Sequence, residues 1–225
     1  MERIDLSHRA SASHRILLVV ARRLIAEGLE ALFRQQPDWQ TAIAGTVEEA
    51  LVYVEQQRPE AVIVDLSLSD GGAFLLLQQV RSRGLKVRVV FLDDSVHPAR
   101  LAAVQSLRAA GYFTLTDSFA SLSAGLRQVL AGRTVYSTFP GPDAGSSTGI
   151  PASGGVASPL SRLSRREMEV LIHLARGLTV KECAEHLHLS PNTVDNHKAR
   201  LMSKLGLHRS TDLVRLAIRE KLLEQ

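Results

Sequence analysis

The sequence predicts an α/β, doubly wound (βα)5 domain followed by an all-α domain of four helices. Three observations predict it. Five short Val/Ile/Leu-rich runs alternate with five helically spaced segments as far as residue 132. A stretch rich in Gly, Pro and Ser then breaks the pattern. After it come four helix starts and two glycine stops, with nothing strand-like.

The elements follow in order. Residues 16–20 form the first apolar run, and helical spacing over residues 24–33 follows it. Residues 39–44 are a second strand. Thr46 and Glu49 make a Thr-x-x-Glu capping box that opens a helix to about residue 57. Residues 61–64 are a third strand with Asp65 at its carboxyl end, and an apolar helix over residues 74–80 comes next. Residues 87–92 are the fourth strand. Pro98 stands where the first turn of the next helix, residues 97–110, tolerates a missing N–H. Residues 112–115 and 118–130 give a fifth strand and a last helix. Strands that are apolar almost throughout belong in a parallel sheet covered on both faces, with its functional crevice at the carboxyl ends of the strands.

Residues 133–159, with Pro140-Gly141-Pro142 and Ser153-Gly154-Gly155, carry too little apolar surface to order themselves and are expected to be a flexible linker. Residues 1–13 are polar and are expected to be a mobile tail. The domains are therefore placed at residues 14–132 and 160–225. In the second, Ser164-Arg165-Arg166-Glu167 is a capping box whose helix runs to Arg176, with Gly177 as its stop. Thr179 and Glu182 form another box, for a helix to about Leu187. Ser190-Pro191 starts a third helix that Gly206 stops after Leu205, and Ser210 or Thr211 starts a fourth, ending near Leu222.

Charge is unevenly spread. From Ser158 onward there are 12 Lys+Arg against 8 Asp+Glu, leaving 15 of each before it, so the net +4 lies entirely in the last third. A basic domain beside a neutral one suits a polyanionic partner. Cys183 is the single cysteine, which excludes an intramolecular disulfide and fits a reducing, cytoplasmic setting. No apolar run approaches the roughly 20 residues that span a bilayer, and no signal-peptide core is present, so no membrane association is expected.

Helices over residues 179–187 and 191–205, joined by a tight turn at residues 188–190, have helix-turn-helix geometry, in which the second helix enters the major groove of double-stranded DNA. Val194, Leu201 and Leu205 share the face that packs on Cys183, Ala184 and Leu187. The opposite side carries Asn192, Asp195, Asn196, Ala199 and Ser203, short or polar residues suited to base edges, with Asn196 the candidate base reader and Thr193 a further DNA-binding candidate. Lys198, Arg200, Lys204 and Lys181 are candidates for phosphates. Asp195 is repelled by phosphate; it either accepts from cytosine N4 or orients Lys198 or Arg200. His197, beside the buried stripe, is assigned to packing or a structural hydrogen bond. Cys183 and His186 form Cys-x-x-His without a second ligand pair, so Cys183 is a core residue and no metal is expected.

Leu163-Ser164-Arg165-Arg166-Glu167-Met168-Glu169-Val170-Leu171, then Gly177-Leu178-Thr179-Val180-Lys181-Glu182, Thr193-Val194-Asp195-Asn196-His197 and the run from Leu201 to Leu207, resemble the LuxR-type (NarL/FixJ) DNA-binding domain. That resemblance implies a four-helix DNA-binding domain that dimerises through its last helix. Residues 15–132 resemble a response-regulator receiver, on Ile16-Leu17-Leu18-Val19, on Pro59-Glu60-Ala61-Val62-Ile63-Val64-Asp65-Leu66 and on Gly111-Tyr112-Phe113. This resemblance makes Asp65 the phosphoacceptor equivalent.

The receiver's chemistry requires Mg²⁺ on hard carboxylates. The family's acidic pair is replaced by Val20 and Ala21, its hydroxyl residue by Leu92 or Asp93, and its lysine by Leu115 or Thr116. Asp65 is therefore expected to be an inactive relic in an atypical receiver. The leading expectation is a homodimeric DNA-binding transcription regulator, not an enzyme, that works without phosphorylation or cofactor. It pairs through the fourth helix, fifth strand and fifth helix of the receiver, or through its first and last helices. The rivals are a phospho-switch with a metal site improvised from Asp70, Asp93 or Asp94, and a regulator that takes a small molecule at the crevice near Val20, Ala21 and Asp65 or docks a protein effector on the receiver.

Overall fold

The computed structural model describes residues 13–137 and 158–223. The expected mobile tail, except Ser13, and the expected linker from residue 138 to 157 lie outside the described residues. The first described part runs β1 (His14–Val19), α1 (Arg23–Arg34), β2 (Trp39–Ala44), α2 (Val47–Gln57), β3 (Ala61–Asp65), a 3-10 turn (Ser69–Gly71), α3 (Gly72–Ser82), β4 (Arg88–Asp93), α4 (Pro98–Ser106), β5 (Gly111–Thr114), α5 (Phe119–Leu130) and β6 (Val135–Tyr136). The second has a 3-10 turn (Pro159–Arg162), α6 (Arg165–Ala175), α7 (Val180–Leu187), α8 (Pro191–Leu205) and α9 (Ser210–Arg219).

The strands form one parallel sheet in the order β2-β1-β3-β4-β5-β6. The chain leaves β1 in both directions, so the strand order reverses beside β1 and β3, where a crevice opens at the carboxyl ends. The pleat sends alternate residues to opposite faces. Ile16, Leu18, Ile63, Val90 and Phe113 pack with Ala26 and Phe33 of α1 and with Leu122, Leu126 and Val129 of α5. Leu17, Val19, Val62, Val64, Phe91 and Tyr112 pack with α2, α3 and α4.

Most element ends fall within two residues of the sequence expectation, and three features depart further. A sixth strand, β6, pairs with β5 through Gly111–Val135 and Tyr112–Tyr136, inside the span expected to be linker. With two residues it has no period for a pattern to reveal. Helix α4 stops at Ser106, not 110, because Arg108 turns left-handed (φ 52) and Arg81 of α3 donates to the carbonyls of Leu107 and Arg108 at 2.5 and 2.7 Å. Helix α9 stops at Arg219 rather than near 222; Lys221 is left-handed (φ 54) and Leu222 N–H returns to the Ala217 carbonyl. The capping boxes of α6 and α7 are complete, whereas Glu49 of α2 reaches back to Gly45 N–H instead of Thr46 N–H.

The helical part packs against the outer side of α4. Leu160, Leu163 and α6 continue the apolar layer that begins under α2, α3 and α4, so the buried surface crosses from one part to the other. The face made by α4 is therefore covered within the chain, which leaves the expected pairing through α4, β5 and α5 without its first element.

Candidate nucleic-acid interface and acidic crevice

Helix α8 is set by its ends. Ser190 Oγ accepts from Thr193 N–H at 3.1 Å, Pro191 occupies the first turn, and Gly206 (φ 66) closes it. The preceding turn uses His188 in the left-handed region (φ 53), whose N–H meets the carbonyl of Glu185. Val194 and Leu201 are fully buried and lock α8 onto α6 and α7 with Cys183, Ala184 and Leu187. That anchoring fixes which side faces out. Asn192, Asp195, Asn196, Ala199, Arg200 and Ser203 are all exposed along one side of α8, and no other described residue covers it.

The remaining expected contacts divide. Lys181 is exposed on the first turn of α7. Thr193 and Lys198 are half-buried, and Thr193 Oγ1 lies 2.8 Å from Ser190 Oγ within the cap. Lys204 is exposed, but its ammonium is engaged instead of lying free for a phosphate. Its ammonium donates to the Glu167 carboxylate at 2.6 Å and to the Arg162 carbonyl at 3.2 Å. Burial works to raise the Glu167 pKa, but the hydrogen bonds from Lys204 and Ser164 outweigh it and hold the carboxyl below its usual range. Asp195 makes no ion pair with Lys198 or Arg200 among the described residues. His197 is half-buried, and Cys183 is a buried core thiol whose pKa burial pushes up to about 11.

At the other end of the chain, Asp65 closes β3 with its carboxylate fully buried. It accepts Ser67 N–H at 2.9 Å and a forked pair from Arg22, Nε at 3.2 Å and a terminal nitrogen at 3.0 Å. The other terminal nitrogen of Arg22 meets Asp94 at 2.7 Å. Burial pulls the Arg22 pKa down, but hydrogen bonds to Asp94 and Asp65 carry it above its usual value. The next carboxylate, Asp93, faces away: it takes Arg100 at 2.6 Å and the Tyr112 hydroxyl at 2.8 Å. Val20 and Ala21 offer no ligand atoms on their side chains, and β5 ends at Thr114, followed by Leu115 and Thr116, with no lysine. The receiver resemblance implies Mg²⁺ on Asp65. The donor set does not fit it, since the two nearest carboxylates already share a guanidinium. Among the described residues no group of three or more His, Cys, Asp or Glu side chains is placed to hold a metal ion.

Sequence reasoning missed Arg22, Arg100 and His173. Arg22 was findable by asking which cation follows β1 closely enough to neutralise a buried Asp65. Arg100 sits among Ala and Leu on α4 and is only 4% exposed. His173 lies on α6 with both ring nitrogens buried and without a hydrogen-bond partner, stacked on His186 at 5.5 Å.

A family model described as bacterial regulatory proteins, luxR family, matches residues 161–217. The Fimbriae Z protein of Salmonella typhimurium is 32% identical over 77% of this chain and 81% of its own length. The response regulator UvrY of Escherichia coli is 25% identical over 92% and 94%. Among solved structures, RcsB from Salmonella enterica serovar Typhimurium, bound to promoter rprA in the presence of the phosphomimetic BeF3-, superposes with a TM-score of 0.59 at 19% identity, covering 90% of this chain and 97% of that one.

Proposed function

The chain belongs to the luxR family of bacterial regulatory proteins, and from that premise we propose that it is a transcription regulator that binds double-stranded DNA as a homodimer and whose receiver-like domain works without phosphorylation. The observation that carries the DNA-binding reading is α8: Val194 and Leu201 buried, Asn192, Asp195, Asn196, Ala199, Arg200 and Ser203 exposed on the other side. The carboxamide of Asn196 matches the donor–acceptor edge of adenine, and Arg200 and Lys181 suit phosphates. A two-fold protein suits a two-fold operator. The phosphorylation-independent reading is supported by the Arg22 guanidinium on Asp65 and by the absence of acidic side chains at Val20 and Ala21. A small molecule at Asp65 would have to compete with that guanidinium.

The test is binding of the full chain to promoter fragments from about 50 to 200 mM salt, with and without acetyl phosphate and Mg²⁺, the intact mass being recorded in each arm. Affinity that falls steeply with salt, Asn196→Ala losing sequence discrimination, and Lys181→Ala lowering the salt slope by about one are the expected results. Absence of any salt-dependent binding overturns the DNA reading. A mass increase of one phosphoryl group that disappears in Asp65→Asn overturns phosphorylation-independence alone.

A further inference from the structure

One guanidinium holds three strand ends together at the crevice. Arg22 begins α1 just beyond the end of β1, binds Asp65 at the end of β3 through two nitrogens, and binds Asp94, just past β4, through the third. A fully buried carboxylate needs a counter-charge, and Asp65 has this one. The neighbouring Asp93 is neutralised separately, by Arg100 and the Tyr112 hydroxyl, so it brings no competing demand on Arg22. A guanidinium stays protonated across the physiological pH range, and its planar fork matches a carboxylate with two parallel bonds. A divalent ion on Asp65 would have to displace a charge that is covalently tethered a few ångströms away.

We propose that Arg22 is the resident cation of this crevice: a tethered guanidinium takes the position and the bridging work of a divalent ion, and it closes Asp65 to metal. It follows that the loops after β1, β3 and β4 are pinned together through one side chain. The inference deepens the phosphorylation-independent reading and rests on it, but it concerns metal exclusion and is read without any phosphoryl donor.

The experiment is a Mn²⁺ titration of the full-length protein, following free Mn²⁺ by electron paramagnetic resonance, with thermal midpoints recorded in parallel with and without Mg²⁺. Wild type is expected to show no uptake that depends on Asp65 and no Mg²⁺-dependent shift. Arg22→Ala is expected to bind Mn²⁺ at least about tenfold more tightly than wild type, a gain of about 1.4 kcal/mol, and to lose that gain when Asp65→Asn is added. Arg22→Gln serves the same purpose if the alanine variant does not fold. Asp65-dependent Mn²⁺ binding by wild type overturns the proposal, as does a folded Arg22 variant that binds no better than wild type. If wild type takes up Mn²⁺ on Asp65 yet acetyl phosphate leaves its mass unchanged, the inference falls while the phosphorylation-independent reading stands.

Discussion

His173 shows how much a single side chain can set. Burial pushes its pKa down to about 4 from 6.5, with His186 and Arg176 adding to the effect, and neither ring nitrogen has a partner. The folded protein therefore keeps the ring neutral while the unfolded chain takes up a proton below pH 6.5. Stability is then fully present above pH 6.5, falls as pH drops towards about 4, and levels off below it. The gap corresponds to about 3 kcal/mol. His97, also held low by burial and by Arg100 and Lys221, acts in the same direction. Urea denaturation at pH 7 and pH 5 is expected to show a markedly smaller acid penalty in His173→Leu than in wild type. None of this was legible in the sequence. A histidine beside Ile172 and Leu174 has the spacing of either a core or a boundary position, and only the packing of α6 on α7 decides. Asp65 was legible, because a carboxylate ending a run of buried valines is conspicuous; its partner Arg22 was legible only as a cation close behind β1, since local patterns do not say which side chain folds back across a strand end.

At the scale of elements, helices announced themselves through their ends. Ser164 with Glu167 and Thr179 with Glu182 form the reciprocal bonds that their spacing implies, and Ser190-Pro191 begins α8 where expected. Strands were placed to within two residues by their continuous apolar runs, whereas β6 was too short to register. Helical glycines separate local from tertiary effects. Gly28 in α1 is exposed, and an added Cβ would meet nothing within 4 Å; Gly125 in α5 lies over Phe113, whose ring carbon would stand 2.4 Å from such a Cβ. Propensity alone gives both the same gain on replacement by alanine. Chemical denaturation is expected to find Gly28→Ala more stable by up to about 1 kcal/mol and Gly125→Ala less stable by about 1–3 kcal/mol, as Phe113 is forced from its place.

For the whole molecule, the sequence delivered two architectures but not their mutual position. Composition marks where one pattern ends and another begins, and says nothing of which helix faces will meet. In the structure, Arg100 joins them. Its side chain is almost wholly buried, gripping Asp93 of the sheet on one side and donating to the Lys221 carbonyl beyond α9 at 2.6 Å on the other. Removing one member of a buried ion pair costs about 3–5 kcal/mol. In scanning calorimetry the wild-type chain is expected to melt in a single transition. Arg100→Met is expected to melt earlier and in two, one for the sheet and one for the helices, while residues such as Asn196 on the open side of α8 are left undisturbed.

The Arg100 junction also bears on how such a protein can be recombined. Lys221 presents its carbonyl only because the chain turns left-handed just past α9, and the donor that meets it comes from α4, 121 residues earlier. The two halves are therefore not interchangeable cassettes. A chimaera that carries these four C-terminal helices behind a foreign sheet inherits an acceptor without its guanidinium, and will stay loosely tethered unless an arginine is grafted at the matching turn of the host's fourth helix.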